Sequence, residues 1–398
     1  MATGRVARAW CRLVGARRRD VKPDGKLNLT RHASLQLARH RLGQGHPDTV
    51  AATRSILDGA DRCLKKPIVP ITNKKRLPPS GDARDYFSIG TYWWPNPDTA
   101  DGLPYVRRDG QINPEAMESD TGKVRRLCRD SRLLSLAWVL TGNAHYARHC
   151  AALLRTWFID SDHAMNPHLT YAQSVPGVSE GRSYGIIDTR GFRYLVDSAT
   201  LILDEGIWTS EDHEQLAAWM GRFLDWLLDS RAGRKERASK NNHGTWYSAQ
   251  VLSLALFCGR KKLASKLALE ARERIDEQIE SDGSQPAEFG RSRPLTYCTM
   301  NLRAFFEIAT AAERTDIDLW MYQAPRGGSL EKAARWLLPY VKHEKGWPKR
   351  EIIEYKPENY LSLFRRAALH YDAVFEPRRL PFDQQAVGTS EIHILYPD

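Results

Sequence analysis

Apolar residues recur three and four positions apart through most of the chain, the spacing of amphipathic helices packed on one face. Between Val124 and Leu140 they fall at 124, 127, 128, 133, 134, 136, 137 and 138, and Thr141-Gly142-Asn143 then supplies a helix stop. From Tyr146 to Ile159 a second broad face carries Ala147, Cys150, Ala151, Leu153, Leu154, Trp157 and Phe158. Two such helices joined by a short Gly-Asn turn predict an antiparallel hairpin. The pairing recurs. Phe192 to Leu203 breaks at Glu205-Gly206 before Glu211 to Leu228, with Ser210 as its expected cap. Trp246 to Phe257 stops at Gly259 and is followed by Leu263 to Ile279; Leu302 to Ala312, Leu330 to Val341 and Leu361 to Tyr371 complete the series. Alternating patterns never run beyond a few residues, so strands can decorate the loops without organising the chain.

Successive helical hairpins either stack into an open solenoid or close into a ring. A solenoid needs a repeating sequence motif, and no fixed-period motif is present. The expected fold is therefore all-α, an (α/α) toroid or incomplete barrel of helical hairpins, with long loops rimming a central cleft. Residues 1–25 are expected to be a mobile basic arm, 26–375 a single toroid domain, and 376–398 a C-terminal extension. Pro377, Pro381 and Pro397 give that extension the character of an extended tail.

Composition narrows the function. The 398 residues are 42% hydrophobic and 27% charged, an ordinary globular mixture that excludes a disordered chain. The longest apolar stretches, such as Val251 to Cys258, fall short of the roughly 20 residues of a membrane helix. The six cysteines are scattered without a CxxC pair, so neither a zinc ribbon nor a redox dithiol is supported. Cys128, Cys150 and Cys258 read as core thiols. Met1 to Asp20 holds six arginines and lacks the basic-then-apolar order of a secretory signal. The formal net charge of +11, from 59 Lys and Arg against 48 Asp and Glu, suits a polyanionic partner. Zinc-finger spacing, RNP-like strands and a bZIP register are absent, so nucleic acid is not the expected partner. An acidic polysaccharide is the other candidate polyanion, and charge alone does not choose.

Four segments stand apart from the helical background. Asp85 to Pro97 contains Tyr92-Trp93-Trp94, which is either a core plug beside a turn or a platform on which sugar rings stack. Asn166 to Gln173, with Gly181 to Gly185 and Asp188-Thr189-Arg190, is a polar loop dense in hydrogen-bonding groups, including Gln173 and Tyr184. Asp188 and Arg190 also read as a helix cap and a salt bridge. Asn241-Asn242-His243 precedes an apolar helix and serves equally as an N-cap or as donors for a carboxylate. Asp282 to Glu288 leads to Arg291-Ser292-Arg293-Pro294-Leu295-Thr296-Tyr297, two arginines close before a tyrosine.

Taken together and in this order, the four segments resemble the alginate lyase family of polysaccharide lyases and its glucuronan-cleaving relatives. The resemblance spans about Asp85 to Ala312, and Asn241-Asn242-His243 with Arg293 to Tyr297 is its most specific part. It implies an (α/α) toroid and metal-independent β-elimination of a 1,4-linked polyuronate, alginate or glucuronan, without cofactor. It assigns carboxylate neutralisation to Asn242, His243 and an arginine, Arg291 or Arg293, and acid/base work to Tyr297. The arginines would favour the phenolate that a tyrosine base requires. Alternatively, His243 is the base and Tyr297 the acid. Tyr92, Trp93, Trp94, Gln173, Tyr184, Arg190 and Glu288 are the candidate substrate contacts, and Tyr247 reads as core. A secreted or periplasmic location follows from the substrate class. Two other readings remain: a glycoside hydrolase using Asp188 and Glu288, which would need carboxylates facing each other across the cleft, or a non-catalytic polyanion binder.

Overall fold

A computed structural model describes residues 27–348 and 351–397; the basic arm expected over 1–25 lies outside the described residues. The chain forms an (α/α) toroid. Helices α1 (His32–Gly43) and α2 (Pro47–Leu64) precede a loop region with short strands β1 (Phe87–Ile89), β2 (Trp93–Trp94) and β3 (Val106–Arg107). Then follow α3 (Pro114–Glu118), α4 (Asp120–Thr141), α5 (Ala144–Phe158), β4 (Tyr171–Ser174) and α6 (Phe192–Leu201). The second half contains α7 (Ser210–Asp229), α8 (Arg231–Arg237), α9 (Asn242–Phe257), α10 (Lys261–Gln278), α11 (Pro294–Ala312), α12 (Leu330–Val341) and α13 (Leu361–His370). β1 pairs in parallel with β4, and β2 antiparallel with β3. Among the described residues no helix is long and apolar enough to cross a membrane.

Burial separates inner from outer helices. α9 and α11 are buried on nearly every side, which a helix tolerates only inside a larger core. α10 and α12 bury one face alone and turn charged residues outward. The core runs through all of them, with Trp157, Trp208 and Trp219 among its largest buried side chains. Tyr247 lies in this core and donates to the Leu227 carbonyl at 2.9 Å. The five described cysteines are free thiols, Cys128 and Cys150 buried and Cys258 half-buried.

Several boundaries differ from the periodic pattern for identifiable reasons. α9 begins at Asn242 rather than Trp246, because the Asn241 side chain caps it by accepting from the His243 N–H at 3.1 Å. α11 begins at Pro294, whose fixed φ suits the first helical turn, so Tyr297 sits on a helix rather than on a loop. Thr209, not Ser210, caps α7 in a reciprocal capping box with Asp212. α1 escapes the pattern because it buries only Leu35, Ala38 and Leu42, whereas α2 buries a full face that includes Ala52, Ile56, Ala60 and Cys63. The stretch expected to trail as an extended tail folds instead. Its helices α14 (Gln384–Gly388) and α15 (Ile392–Leu395) bury Val387, Ile392, Ile394 and Leu395. α15 packs on α1 and α2, and Glu391 pairs with Arg132 of α4 at 2.5 Å.

The backbone of the segment before α1 is anchored by one carboxylate, while the Asn28 side chain also bonds Ser253 and Arg314. The carboxylate of Asp197 on α6 accepts from the backbone N–H groups of Asn28, Leu29 and Thr30 at 2.7, 2.9 and 3.0 Å. Asp197→Ala strands buried donors, so it is expected to lower unfolding free energy by about 3 kcal/mol, measured by urea denaturation. A loss below about 0.5 kcal/mol, the range of neutral surface changes, would show that this anchor is dispensable.

Candidate functional site

The chemistry-bearing groups gather where inner helices begin. Asn242 and His243 occupy the first turn of α9, Tyr297 the first turn of α11, and Thr121 the first turn of α4. Helix N-termini carry partial positive charge, so the framework itself favours an anionic ligand here.

Tyr297 is the centre of one cluster. Its hydroxyl lies 2.8 Å from the Tyr92 hydroxyl and accepts from Arg291 Nη2 at 3.0 Å. The Arg291 guanidinium sits 4.0 Å from the Tyr297 ring centroid. Arg293 donates to Tyr92 at 3.3 Å, so the arginine bonded directly to Tyr297 is Arg291. Asp109 orients that arginine from behind at 3.4 Å and also accepts from the Ser292 backbone and hydroxyl. The sequence implied that the arginines would favour a phenolate. The opposite balance holds: burial and Tyr92 raise the phenol above its ordinary 10, and the pull of Arg291 and Arg293 does not offset them. The shift favours the protonated phenol.

Asn242 and His243 form a second cluster. Glu288 accepts from the Asn242 backbone N–H at 2.6 Å and from its side-chain amide at 2.8 Å. Glu288 is fully buried and Asn242 is 1% exposed, so Glu288 positions Asn242 rather than meeting a ligand, correcting its expected place among the substrate contacts. The His243 Nδ1 lies 2.6 Å from the buried carboxylate of Glu236, leaving Nε2 as the unengaged ring nitrogen. The Tyr184 ring meets the imidazole edge-on at 5.0 Å. Glu288 feels the charge of both Arg291 and His243, so it lies near both clusters.

The aromatic segment does not form one platform. Adjacent strand residues point to opposite faces, and here Tyr92 meets Tyr297 while Trp93 lies under Arg182 and Trp94 under Arg108. Gln173 is buried with both ends of its amide engaged, donating to Asp188 at 3.0 Å and accepting from Arg182 at 3.3 Å. Its backbone sits at φ +47°, a conformation uncommon outside glycine that is held here by the β1–β4 pairing. Asp188 is neither cap nor salt-bridge partner of Arg190. It accepts from Tyr86, Ser88, Thr121 and Gln173, joining four segments at the cleft floor. Arg190 lies apart from the tyrosines, against the face of Trp246. With Asp188 and Glu288 both buried and fully engaged, the carboxylate pair of a glycosidase is not formed by these residues. Among the described residues no three His, Cys, Asp or Glu side chains gather as a metal-ligand set.

Three contributors escaped the motifs: Glu236 behind His243, Asp109 behind Arg291, and Arg182 between Trp93 and Tyr184. Glu236 lies seven residues before His243 inside a basic run, a lone acid with a structural reason to be there that only the fold reveals. Arg182 was within the quoted polar loop but was passed over for its aromatic and amide neighbours.

Among known proteins, this helical toroid matches polysaccharide lyases. A family model described as alginate lyase matches residues 70–347, and the chain belongs to that family. It is similar to an alginate lyase from Bacteroides ovatus, at 31% identity and a TM-score of 0.86, over 94% of this chain and 99% of that one. The fold is shared more distantly with alginate lyase A1-III from Sphingomonas species A1, at 16% identity and a TM-score of 0.53, covering 88% and 96% of the two chains. A variant of that enzyme complexed with a tetrasaccharide aligns with a TM-score of 0.55 at the same identity and coverage. Comparison with curated proteins found no match.

Burial raises the Glu288 carboxyl above its ordinary 4.5 despite its two hydrogen bonds from Asn242. The folded chain then binds that proton more tightly than the unfolded chain does. Its contribution to stability is full below about pH 4.5 and is lost as pH rises through the raised folded value. Glu288→Gln is expected to flatten this segment of the pH–stability curve, measured by urea denaturation between about pH 4 and 8. An unchanged slope would show that Glu288 does not titrate in that window.

Proposed function

We propose that the chain cleaves a 1,4-linked polyuronate, alginate or glucuronan, by β-elimination, leaving 4,5-unsaturated uronate ends. The observation that carries this is the Arg291–Tyr297–Tyr92 hydrogen-bond cluster next to Asn242 and His243, each of the latter backed by a buried carboxylate. Elimination needs a stabilised negative charge at the C6 carboxylate, a base for the C5 proton, and a proton for the departing O4. Asn242 and the cationic surroundings supply the first as fixed electrostatic stabilisation. His243, with Nδ1 on Glu236, presents Nε2 as the base. Tyr297, neutral at rest, protonates O4. A second division, with Tyr297 as both base and acid, is favoured by the Arg291 hydrogen bond to its phenol oxygen, which would stabilise a phenolate. Tyr184, Trp93 and Trp94 offer rings to the sugar faces, with Arg182 between the first two. A polymeric extracellular substrate fits a secreted or periplasmic enzyme.

The deciding assay follows ultraviolet absorbance of the unsaturated product on polymannuronate, polyguluronate and glucuronan separately, with chelator present. Absorbance is expected to rise on at least one polymer, and Tyr297→Phe is expected to lower kcat by roughly 10²- to 10⁴-fold. His243→Gln distinguishes the two divisions of labour: a comparable loss assigns it the base, and retained activity assigns both steps to Tyr297. No absorbance on any polymer, or a fully active Tyr297→Phe, would sink the proposal. Glu236→Gln is expected to lower kcat/KM by roughly tenfold or more, because the imidazole loses the carboxylate that holds its Nδ1. An unchanged kcat/KM would reduce Glu236 to packing.

A further inference from the structure

Below the candidate catalytic groups lies a cavity of about 300 Å³ lined by four arginines, Arg125, Arg190, Arg193 and Arg303. Trp246 and Tyr360 complete the part relevant here. Trp246 follows His243 by three residues on α9, and Met300, also in the lining, follows Tyr297 by three on α11. Residues three apart share a helix face, and the step is roughly 4.5 Å along the axis. The cavity therefore adjoins the reacting groups on the same faces of the same helices.

Its charge is not balanced from within. The four guanidinium groups meet two carboxylates, Asp188 in the lining and Glu307 behind it. Glu307 is taken by Arg193, by Arg303 at 3.2 Å and by the Tyr194 hydroxyl at 2.8 Å. Asp188 is taken by its four hydrogen bonds at the cleft floor. Arg190 donates only to the Ile187 carbonyl of its own turn, at 3.0 Å, and Arg125 touches the Met117 sulfur at 3.2 Å. Burial, with repulsion from Arg125 and Arg193, holds the Arg190 pKa down to about 10. The indole N–H of Trp246 and Nε of Arg193 are buried without a partner. A part-buried arginine without a carboxylate partner and two orphaned buried donors are costly unless a ligand meets them, and Arg125 adds a second cation at the mouth, so an anion with further polar groups suits this cavity.

We propose that this cavity seats one carboxylate-bearing sugar unit beside the unit that reacts. The inference rests on reading the cleft as a polyuronate cleft. The volume is at the low end of small-molecule sites, which run from roughly 300 to 1,000 Å³, and so suits a single ring rather than a run of them. The carboxylate neutralises the surplus of Arg190 and Arg125. Ring hydroxyls accept from the Trp246 indole, and the Tyr360 phenol borders the same space. The unit is either part of the bound chain or a released monosaccharide, and both present the same chemistry.

The experiment titrates D-glucuronate, with glucose as the uncharged control, into the wild type, Arg190→Gln and Arg125→Gln by calorimetry. In parallel it measures KM on the cleaved polymer. Arg125 is exposed at the mouth and has no carboxylate partner in the described contacts, so its variant guards against misfolding of the other; matching thermal midpoints verify both. Glucuronate is expected to bind saturably and more weakly at high salt, glucose not to bind, and each variant to weaken the carboxylate's affinity by roughly tenfold or more. A KM on polymer raised by a similar factor, with kcat changed less, assigns the seat to a unit of the chain. Competition by glucuronate with unaltered polymer KM assigns it to released sugar. The proposal is overturned if neither glucuronate binding nor KM moves in either variant, or if glucose binds as well as glucuronate. Glucuronate binding that the variants abolish, in a protein that cleaves none of the polymers, would leave this seat standing and remove the lyase substrate. Normal cleavage with unmoved variants would do the reverse.

Discussion

Two hydrogen bonds onto one buried carboxylate tie Asn242 to the segment that carries the arginines and Tyr297. Glu288 lies just before the arginine-rich stretch that leads into α11, and it grips both the backbone and the side chain of Asn242 at the start of α9. α9 and α11 are buried on nearly every side, so this grip is transmitted to a rigid core rather than to a mobile loop. Burial raises the carboxyl above its ordinary value, against the pull of those two hydrogen bonds. Its value is therefore positional, since a looser Asn242 would lose the preorganisation that makes electrostatic stabilisation effective.

The same device recurs around the cleft. Glu236 stands behind His243, Asp109 behind Arg291, Asp188 behind Gln173, and Glu307 behind Arg193 and Arg303. Each pairs a group facing the cleft with a carboxylate on the far side from it. Such carboxylates fix side-chain rotamers and temper repulsion among cations that must sit close together. The formal charge of +11 thus says less about the site than where the buried anions stand. Around the tyrosines and the imidazole compensation is close to complete, whereas around Arg190 and Arg125 it is not.

The helical periodicity made the ring of hairpins legible, because inner and outer helices both keep apolar faces that recur at the helical period. The motif order made Asn242, His243, Arg291, Arg293 and Tyr297 legible as a group, and the structure brings Arg291 and Arg293 together around Tyr92 and Tyr297. What stayed hidden was set by direction and burial, which no linear pattern records. Tyr92, Trp93 and Trp94 are neighbours in sequence but serve three different partners. Glu288 and Gln173 looked like ligand contacts because they are polar residues in loops, yet their polar atoms are already spent on Asn242, Asp188 and Arg182. The C-terminal segment looked extended from its prolines. Its short apolar helix α15 nevertheless finds a surface on α1 and α2, the first of which has only a faint pattern of its own.

The protonation of Tyr297 brings these strands together. A phenolate waiting in the open cleft would be compensated by Arg291 and would repel the carboxylate of an arriving uronate. A neutral phenol, kept so by burial and by the hydroxyl of Tyr92 at 2.8 Å, leaves that guanidinium charge available to draw the substrate in. In the proposed elimination, a substrate carboxylate beside these clusters would raise the phenol further, which favours the tyrosine as the acid. The base must then be a group that the incoming anion does not disable. His243, with its Nδ1 fixed on Glu236, meets that condition, because a nearby negative charge strengthens an imidazole as a proton acceptor. The incoming charge would thus favour the proposed division in which Tyr297 donates and His243 accepts the proton.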